Sequence, residues 1–157
     1  MRILGTSWTA TSATAEFPAG TVAMDQITSK VYKYLQYNDG GSNLTAVVGN
    51  CCYYYFQDGY KSNLMTMDIS NSNDLGAGVL VSVPADGEYC WVQISGHANV
   101  AWTVSPIADG APLLVDSAQT ADDGKLHAAT APLLLLSPVV ASVGDASDDD
   151  IICMFPF

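Results

Sequence analysis

The chain has 157 residues, 49% of them hydrophobic and only 13% charged, so it holds enough apolar material for one domain with its own core. Sixteen acidic residues against five basic ones give a net charge of −11, a field that repels phosphate and argues against DNA or RNA binding. The longest apolar window is far shorter than the roughly 20 residues of a membrane helix, and the Thr- and Ser-rich start is not typical of a secretory signal. We therefore expect neither a nucleic acid nor a membrane as partner.

In chain order, the sequence begins with a segment rich in Thr, Ser and Ala and then becomes a series of short strands. Residues 1–28 are expected to form an extended N-terminal arm, with a helix over 21–30 as the weaker alternative. β-branched and aromatic residues between Gly, Asn, Asp and Pro then predict strands over 31–36, 46–48, 51–56, 64–68, 78–83, 89–94, 100–104, 113–115, 126–128, 138–143 and 151–155.

This number of short strands favours a closed β structure over an open sheet, because closure removes the unpaired edges that would otherwise be exposed. The sequence therefore predicts an all-β protein. We expect a small single-domain β-barrel or sandwich over residues 29–157, preceded by the arm over residues 1–28.

The cysteines are not arranged as metal ligands. Cys51, Cys52, Cys90 and Cys153 include no C-x-x-C pair and have no histidine at ligand spacing. We therefore expect buried free thiols in a protein made in a reducing cytosol, with no metal and no cofactor. The acidic segment over 145–150 lacks the ligand alternation and the glycine of a calcium loop, and we interpret it as a solvated turn.

Catalytic motifs are missing from the sequence. His97 and His127 are the only histidines, and neither a G-x-S-x-G nor an H-E-x-x-H motif occurs. Most carboxylates occupy turn positions, where Asp caps the backbone. The sequence therefore predicts a protein that is not an enzyme.

Aromatic and apolar residues at both ends of the chain and in one strand are candidates for a partner interface. Trp8 stands in a polar arm, where a bulky ring is better explained as an anchor in a partner's pocket than as an exposed side chain. Residues 53–56 place aromatic rings on both faces of one strand, and the apolar run over 151–157 either closes the barrel or docks on a neighbour. The predicted interface residues are Ile3, Leu4, Trp8, Phe17, Tyr53, Tyr55, Phe155 and Phe157.

These interpretations have alternatives. The segment over 3–17 is either an arm that adds a strand to a neighbouring subunit, a disordered terminus, or an edge strand packed on its own domain. The aromatic run over 53–56 is alternatively a surface on which carbohydrate stacks. Trp91 and Trp102 lie in regular alternating strands and are expected in the core.

A strand between two glycines carries the most specific pattern in the chain. Residues 87–96 read G-x-Y-x-W-V-Q-x-x-G, with Tyr89, Trp91, Gln93 and Gly96 at named positions of that pattern. Together with the segments over 32–36, 109–114, 124–126 and 138–143, it resembles the small glycine-rich head decoration (cement) proteins of tailed bacteriophages. The resemblance covers about residues 31–157, and the runs over 51–56 and 148–150 depart from it.

The resemblance implies a β-tulip-like barrel that binds the outer surface of the mature phage head. Such proteins typically sit as homotrimers at three-fold or quasi-three-fold positions, where they stabilise the capsid against the internal pressure of DNA. The implied partners are the major capsid protein and further copies of this chain. The implied location is the virion, after synthesis in the host cytoplasm. The alternative function is a head-fibre or tail-associated module that recognises a host glycan or protein.

Overall fold

The computed structural model describes residues 6–41, 44–57, 59–100, 113–114, 123–128, 139–141 and 150–155. Within these ranges the regular structure is almost entirely β, which confirms the predicted all-β class. The strands are β1 (Thr11–Ser12), β2 (Val22–Asp25), β3 (Lys30–Tyr37), β4 (Cys51–Tyr55), β5 (Leu64–Thr66), β6 (Ser72–Leu80), β7 (Tyr89–Asn99), β8 (Leu113–Leu114), β9 (His127–Ala128), β10 (Val139–Ala141) and β11 (Asp150–Met154). The helical turns are α1 (Gly59–Ser62) and a 3-10 turn (Ile69–Asn71), and no helix in the described ranges is long and apolar enough to cross a membrane.

Five of the strands close into a ring. β3 pairs with β5, β5 with β4, β4 with β6 and β6 with β7, and β7 returns to pair with β3. The sheet is therefore a small barrel with further strands attached, which agrees with the predicted closed architecture.

An odd number of strands cannot alternate in direction all the way round a ring, so one neighbouring pair must be parallel. That pair is β3 and β5, in which Gln36 lies opposite Leu64 and Tyr37 lies opposite Met65. The other pairs in the ring are antiparallel. A parallel pair needs a crossover connection, and β4 and α1 form part of it because they lie between β3 and β5 in the chain.

The remaining strands of the main sheet extend it at the edges of β3, β7 and β11. β2 pairs with β3, β10 pairs with β11, and both β11 and β1 pair with β7. Since β3 occupies one edge of β7 over residues 89–95, the strands β1, β6 and β11 share its other edge. β7 is therefore paired along both of its edges and holds the sheet together.

Alternation of side chains gives the ring a buried interior. On β7, Cys90, Val92 and Ile94 belong to the main core, whereas Tyr89 and Trp91 lie on the opposite face. The main core contains Leu35, Tyr37, Ala46, Cys51, Cys52, Tyr53, Tyr54, Met65, Met67, Ala77, Val79, Leu80, Cys90, Val92, Ile94, Ala98, Val100, Leu113, Leu126, Ile151, Cys153 and Phe155. Burial of a large aliphatic or aromatic side chain contributes about 1.5–3 kcal/mol, so this core is the main source of stability.

A lysine is buried within the barrel as well. Lys33 is only 5% exposed, and its Nζ donates a hydrogen bond to the Tyr54 hydroxyl at 2.7 Å and lies 5.2 Å from the centre of that ring. Burial lowers the pKa of Lys33, because the charged form loses solvation inside the barrel. The contact joins β3 to β4 across the interior, although these two strands are not neighbours in the ring.

Several predicted elements differ from the observed ones. Residues 46–48 form no strand, because the Asn50 side chain accepts a hydrogen bond from the Val47 N–H at 3.0 Å and closes a turn there. β6 starts at Ser72, six residues before the predicted strand over 78–83, since its polar first half pairs with β4. β7 continues past the predicted end at residue 94, because β11 pairs with residues 95–99. The predicted strand over 100–104 lies outside the described residues except for Val100.

Replacement of Gly76 by alanine tests how the C-terminal strand is anchored. A Cβ at this position would lie 2.6 Å from two atoms of the Phe155 ring, so that ring must move from its buried site. We expect Gly76→Ala to lower the free energy of unfolding by about 1–3 kcal/mol, as overpacking of a core does. Chemical denaturation measures the change.

The matched control is a double-mutant cycle with Phe155→Ala. If the clash is with this ring, Gly76→Ala costs much less in the Phe155→Ala background than in the wild type. Equal costs in the two backgrounds would contradict the assignment.

Candidate functional site

A second cluster of side chains lies on the outer face of β3 and β7. We call it the outer aromatic cluster, and it consists of Trp8, Phe17, Tyr32, Tyr34, Tyr89 and Trp91, with Ala23 and Val81 beside them. Tyr32 and Tyr34 come from β3, Tyr89 and Trp91 from β7, and Trp8 and Phe17 from the N-terminal segment that crosses over them.

The rings of this cluster are in direct contact. Trp8 stacks on Tyr32 at 4.5 Å between ring centres and meets Trp91 edge-on at 5.2 Å. Phe17 lies 5.4 Å from both Tyr34 and Trp91. Such ring pairs contribute about 0.5–1.5 kcal/mol each beyond the area that they bury. The cluster therefore attaches the N-terminal segment to the barrel.

The described part of the predicted arm consequently lies on its own domain. β1 pairs with β7, β2 pairs with β3, and the N–H of Gly20 donates to the Tyr34 carbonyl at 2.7 Å. Of the alternatives for the segment over 3–17, the one packed on its own domain describes residues 6–17. The physical reason is that Tyr32 and Trp91 present an apolar face that Trp8 and Phe17 cover.

The motif strand has a structural explanation at each of its named positions. Gln93 is buried, and its Nε2 donates to the carbonyls of His97 at 2.8 Å and Ser95 at 3.3 Å. Gly96 has a φ of 94°, and its carbonyl accepts a hydrogen bond from the Cys153 thiol at 3.1 Å. These contacts fix the path of β7 where β11 joins it, while Tyr89 and Trp91 face the outer aromatic cluster.

Two of the other predicted interface residues are buried in the monomer. Tyr53 and Phe155 are buried in the main core, and Tyr55 is half-buried with its ring 4.9 Å from the Phe56 ring. Since Tyr53 and Phe155 are not on the surface, they offer no area to a partner in this conformation. Ile3, Leu4 and Phe157 lie outside the described residues.

The exposed apolar residues are different from the predicted ones. The most exposed are Ile27, at 85%, in the turn between β2 and β3, and Met154, at 66%, on β11. The exposed large apolar side chains of the described residues are Met24, Ile27, Val47, Val48, Phe56, Leu75, Val83, Ile152 and Met154. Phe56, Ile152 and Met154 lie in the runs over 53–56 and 151–157 that sequence analysis proposed for an interface. Val47, Val48 and Val83 were missed because sequence analysis placed them in strands, whereas the structure places them in turns and loops.

One cavity lies beside the end of β3, and we call it the mouth cavity. It has a volume of about 350 Å³, near the lower limit of ligand sites. It is lined by Tyr37, Asp39, Leu44, Thr45, Ala46, Val83, Pro84, Ala85 and Asp86. The two sides are held together by main-chain contacts: the N–H of Gly87 donates to the Tyr37 carbonyl, and that of Tyr37 donates to the Glu88 carbonyl.

The residues with polar side chains among those that line the mouth cavity are Tyr37, Asp39, Thr45 and Asp86. Tyr37 is 1% exposed, and in the described part of the chain its hydroxyl has no hydrogen-bond partner. Burial raises the pKa of Tyr37, with further increases from Cys52, Asp39 and Asp86, so the hydroxyl stays protonated at neutral pH. The loops Asn38–Gly41 and Asp86–Gly87 contain ordinary turn residues, which is why sequence analysis did not single out Asp39 and Asp86.

All four cysteines are free and buried, which confirms the predicted free thiols. Burial raises the pKa of each thiol, to about 12 for Cys90 and Cys153 and upward also for Cys51 and Cys52. Among the residues that the structure describes, no group of His, Cys, Asp and Glu is arranged to hold a metal ion.

Comparisons with known proteins identify no relative: no family model, no curated protein and no solved structure matches the chain.

Trp8→Ala tests whether the outer aromatic cluster holds the N-terminal segment. Loss of the ring contacts with Tyr32 and Trp91 should lower the free energy of unfolding by about 1–3 kcal/mol and speed amide exchange in β1. Trp8→Phe keeps an aromatic ring and should lose less than half of this amount. Unchanged exchange in β1 for Trp8→Ala would show that the segment is held by other contacts.

The buried thiols predict a pH dependence of stability. Each thiol has a higher pKa in the folded than in the unfolded chain. Its contribution to the free energy of unfolding is therefore complete below the ordinary thiol pKa of roughly 8.5 and is lost as the pH rises toward the pKa of the folded chain. For Cys90, this loss amounts to about 1 kcal/mol between about pH 7.5 and about pH 9.5.

Urea denaturation of the wild type and of Cys90→Ala at both pH values measures the Cys90 contribution. Lys33 acts in the opposite direction, because its lowered pKa makes the free energy of unfolding rise with pH. The wild type and Cys90→Ala both contain Lys33, so its effect cancels in the comparison. The stability of Cys90→Ala should fall less with pH than that of the wild type. Parallel curves would refute the assignment.

Proposed function

We propose that this chain is a capsid decoration protein of a tailed phage, which binds the outer surface of the mature head as a trimer and stabilises the shell. The observation that carries the proposal is the motif strand over residues 87–96, which resembles that of such proteins. In the fold, this strand is β7, which pairs with β1, β3, β6 and β11. The residues of the motif therefore lie in, or directly before, the central strand of the barrel.

The mechanical properties of the fold support a stabilising role. A ring of five strands has no free edge to open, and each strand shares load with two neighbours through main-chain hydrogen bonds. The outer aromatic cluster attaches the segment that carries Trp8 and Phe17, and the pairing with β7 attaches β11. A protein that bridges capsid subunits under pressure needs this kind of resistance to local opening.

The surface chemistry supports recognition by apolar contact and by acidic groups. The chain carries a net charge of −11, and its exposed apolar side chains include Val48, Ile27 and Met154. A partner that matches this surface combines apolar contacts with basic side chains. The buried residues Tyr53 and Phe155 then support the barrel and do not contact the capsid directly.

Co-sedimentation with precursor and with expanded heads of the parent phage tests the proposal. We expect saturable binding to expanded heads only, at a ratio that corresponds to one trimer at every three-fold or quasi-three-fold position. Absence of binding to both kinds of head would overturn the proposal. Binding at a few positions only, such as a vertex or the tail, would replace it by the head-fibre or tail-associated module that recognises a host glycan or protein.

A double variant, Ile3→Ser with Leu4→Ser, tests the prediction that the first residues contribute to binding of the capsid. This variant leaves Trp8 and Phe17 in place, whereas deletion of residues 1–20 would also expose the outer aromatic cluster. We expect weaker binding to expanded heads and an unchanged free energy of unfolding. Ile27→Ser removes one exposed apolar side chain elsewhere on the surface and should weaken binding less, so equal losses in both proteins would contradict a specific role of the first residues.

A further inference from the structure

The segment that carries Trp8 is held on the barrel by few contacts. We call residues 6–12 the strap, and it includes β1, which pairs with β7 over two positions. Trp8 adds the ring contacts with Tyr32 and Trp91. No residue of the strap is buried, so release of the strap costs much less free energy than unfolding of the barrel.

The aromatic face beneath the strap is buried more deeply than the strap itself. Tyr32 is 6% exposed and Trp91 is 1% exposed, whereas Trp8 is half-buried. Release of the strap returns parts of the Tyr32 and Trp91 rings to water, which is unfavourable for large apolar groups. The face therefore keeps a preference for an aromatic occupant whenever its own strap leaves.

The connection after the strap allows the strap to leave as a unit. Residues 13–16 are exposed and belong to no strand, and Phe17 after them remains packed against Trp91. Four extended residues span at most about 14 Å, so the strap reaches a second barrel where the two barrels lie side by side. The turn within the strap moves with it, because the Ala10 N–H donates to the Ser7 carbonyl at 3.3 Å.

We propose that copies of this chain exchange their straps, so that Trp8 and β1 of one copy cover the outer aromatic cluster of another. The occupant follows from the structure, because the face already accepts this segment and a second copy carries the identical one. Exchange replaces each contact of the strap by the same contact between chains, which makes it a low-cost route to association. Each copy then contributes Trp8 to a cluster that is incomplete without it.

The charge distribution of the chain permits this approach. The net charge is −11, so two copies repel each other at long range. Residues 6–15 contain no charged side chain, and the first acidic residue of the chain is Glu16. The strap therefore reaches the other copy without adding a carboxylate to the contact.

Competition between a copy's own strap and that of a neighbour sets the concentration at which exchange occurs. A short flexible connection holds the copy's own strap at an effective concentration on the order of millimolar. The strap of another copy competes at a similar local concentration, so dilute protein stays monomeric and crowded protein exchanges. The inference does not depend on the proposed decoration role, because any crowding of copies has the same effect.

Paramagnetic broadening between mixed copies tests the exchange. Full-length Ser7→Cys carries a spin label on an exposed strap residue, and the four native thiols are buried and do not compete for the label. It is mixed with ¹⁵N-labelled wild type. We expect the amide signals of Tyr32 and Trp91 of the wild type to weaken at millimolar protein and to recover on about hundredfold dilution, where each copy's own strap wins.

Ala85→Cys carries the matched control label, on an exposed loop outside the strap. It should leave the Tyr32 and Trp91 signals unchanged under the same conditions. Equal weakening by both labels would indicate random collisions and overturn the inference, as would no weakening by the Ser7→Cys label. Trp8→Ala in the labelled chain should abolish the effect, and persistence of the broadening would refute the role of Trp8.

A cross-linking experiment measures exchange through β1. Ser12 lies opposite Tyr89, so Ser12→Cys in one chain and Tyr89→Cys in another are brought together when the strap is exchanged. Oxidised glutathione should then link the two chains into a heterodimer at millimolar protein. Thr14→Cys, in the exposed connection, replaces Ser12→Cys in the control mixture. Both mixtures contain Tyr89→Cys, so any loss of stability from it affects them equally, and equal yields of heterodimer would contradict exchange.

Discussion

Burial of both faces of the β3–β7 pair is the constraint on which the rest of the structure depends. One face contributes Leu35, Val92 and Ile94 to the interior of the ring. The other face carries Tyr34 and Trp91 and is covered by the N-terminal segment. A pair of strands with apolar residues on both faces is stable only between two layers. The ring provides one layer, and the residues before β3 provide the other.

This arrangement explains which parts of the fold were predictable from sequence. The strands over 31–36, 51–56 and 89–94 were found because aromatic and β-branched residues fill both faces and because glycine, asparagine or aspartate bounds them. The turn at Val47 was not found, since its valines satisfy strand preference and only the Asn50 side chain reveals the turn. Local preference is overridden there by a side-chain hydrogen bond to the main chain.

The position of the N-terminal segment was less accessible to sequence reasoning. Trp8 and Phe17 stood out correctly as bulky groups in a polar segment, but sequence alone does not tell whether their partner belongs to another chain or to the same one. Here the partner is the outer face of β3 and β7, more than 20 residues downstream of Trp8 at its nearest point, Tyr32. The mouth cavity was hidden for a related reason, since Asp39 and Asp86 meet only when β3 and β7 pair. The signal that exists is weak: two aspartates, each in a glycine-containing turn.

The long separation in the chain between β3 and its partner β7 has a consequence for folding during synthesis. Hairpin pairs such as β4 with β5 form as soon as both strands have left the ribosome, whereas β3 keeps one open edge until residues 89–95 have been made. During that interval the nascent chain exposes a strand edge and the aromatic rings of Tyr32 and Tyr34, a combination that promotes aggregation. Stacking of Trp8 on Tyr32 requires no later residue, so the N-terminal segment is able to shield part of this face before Trp91 arrives. The same segment that covers the outer face of the folded barrel is therefore placed to cover Tyr32 while the rest of the chain is still being made.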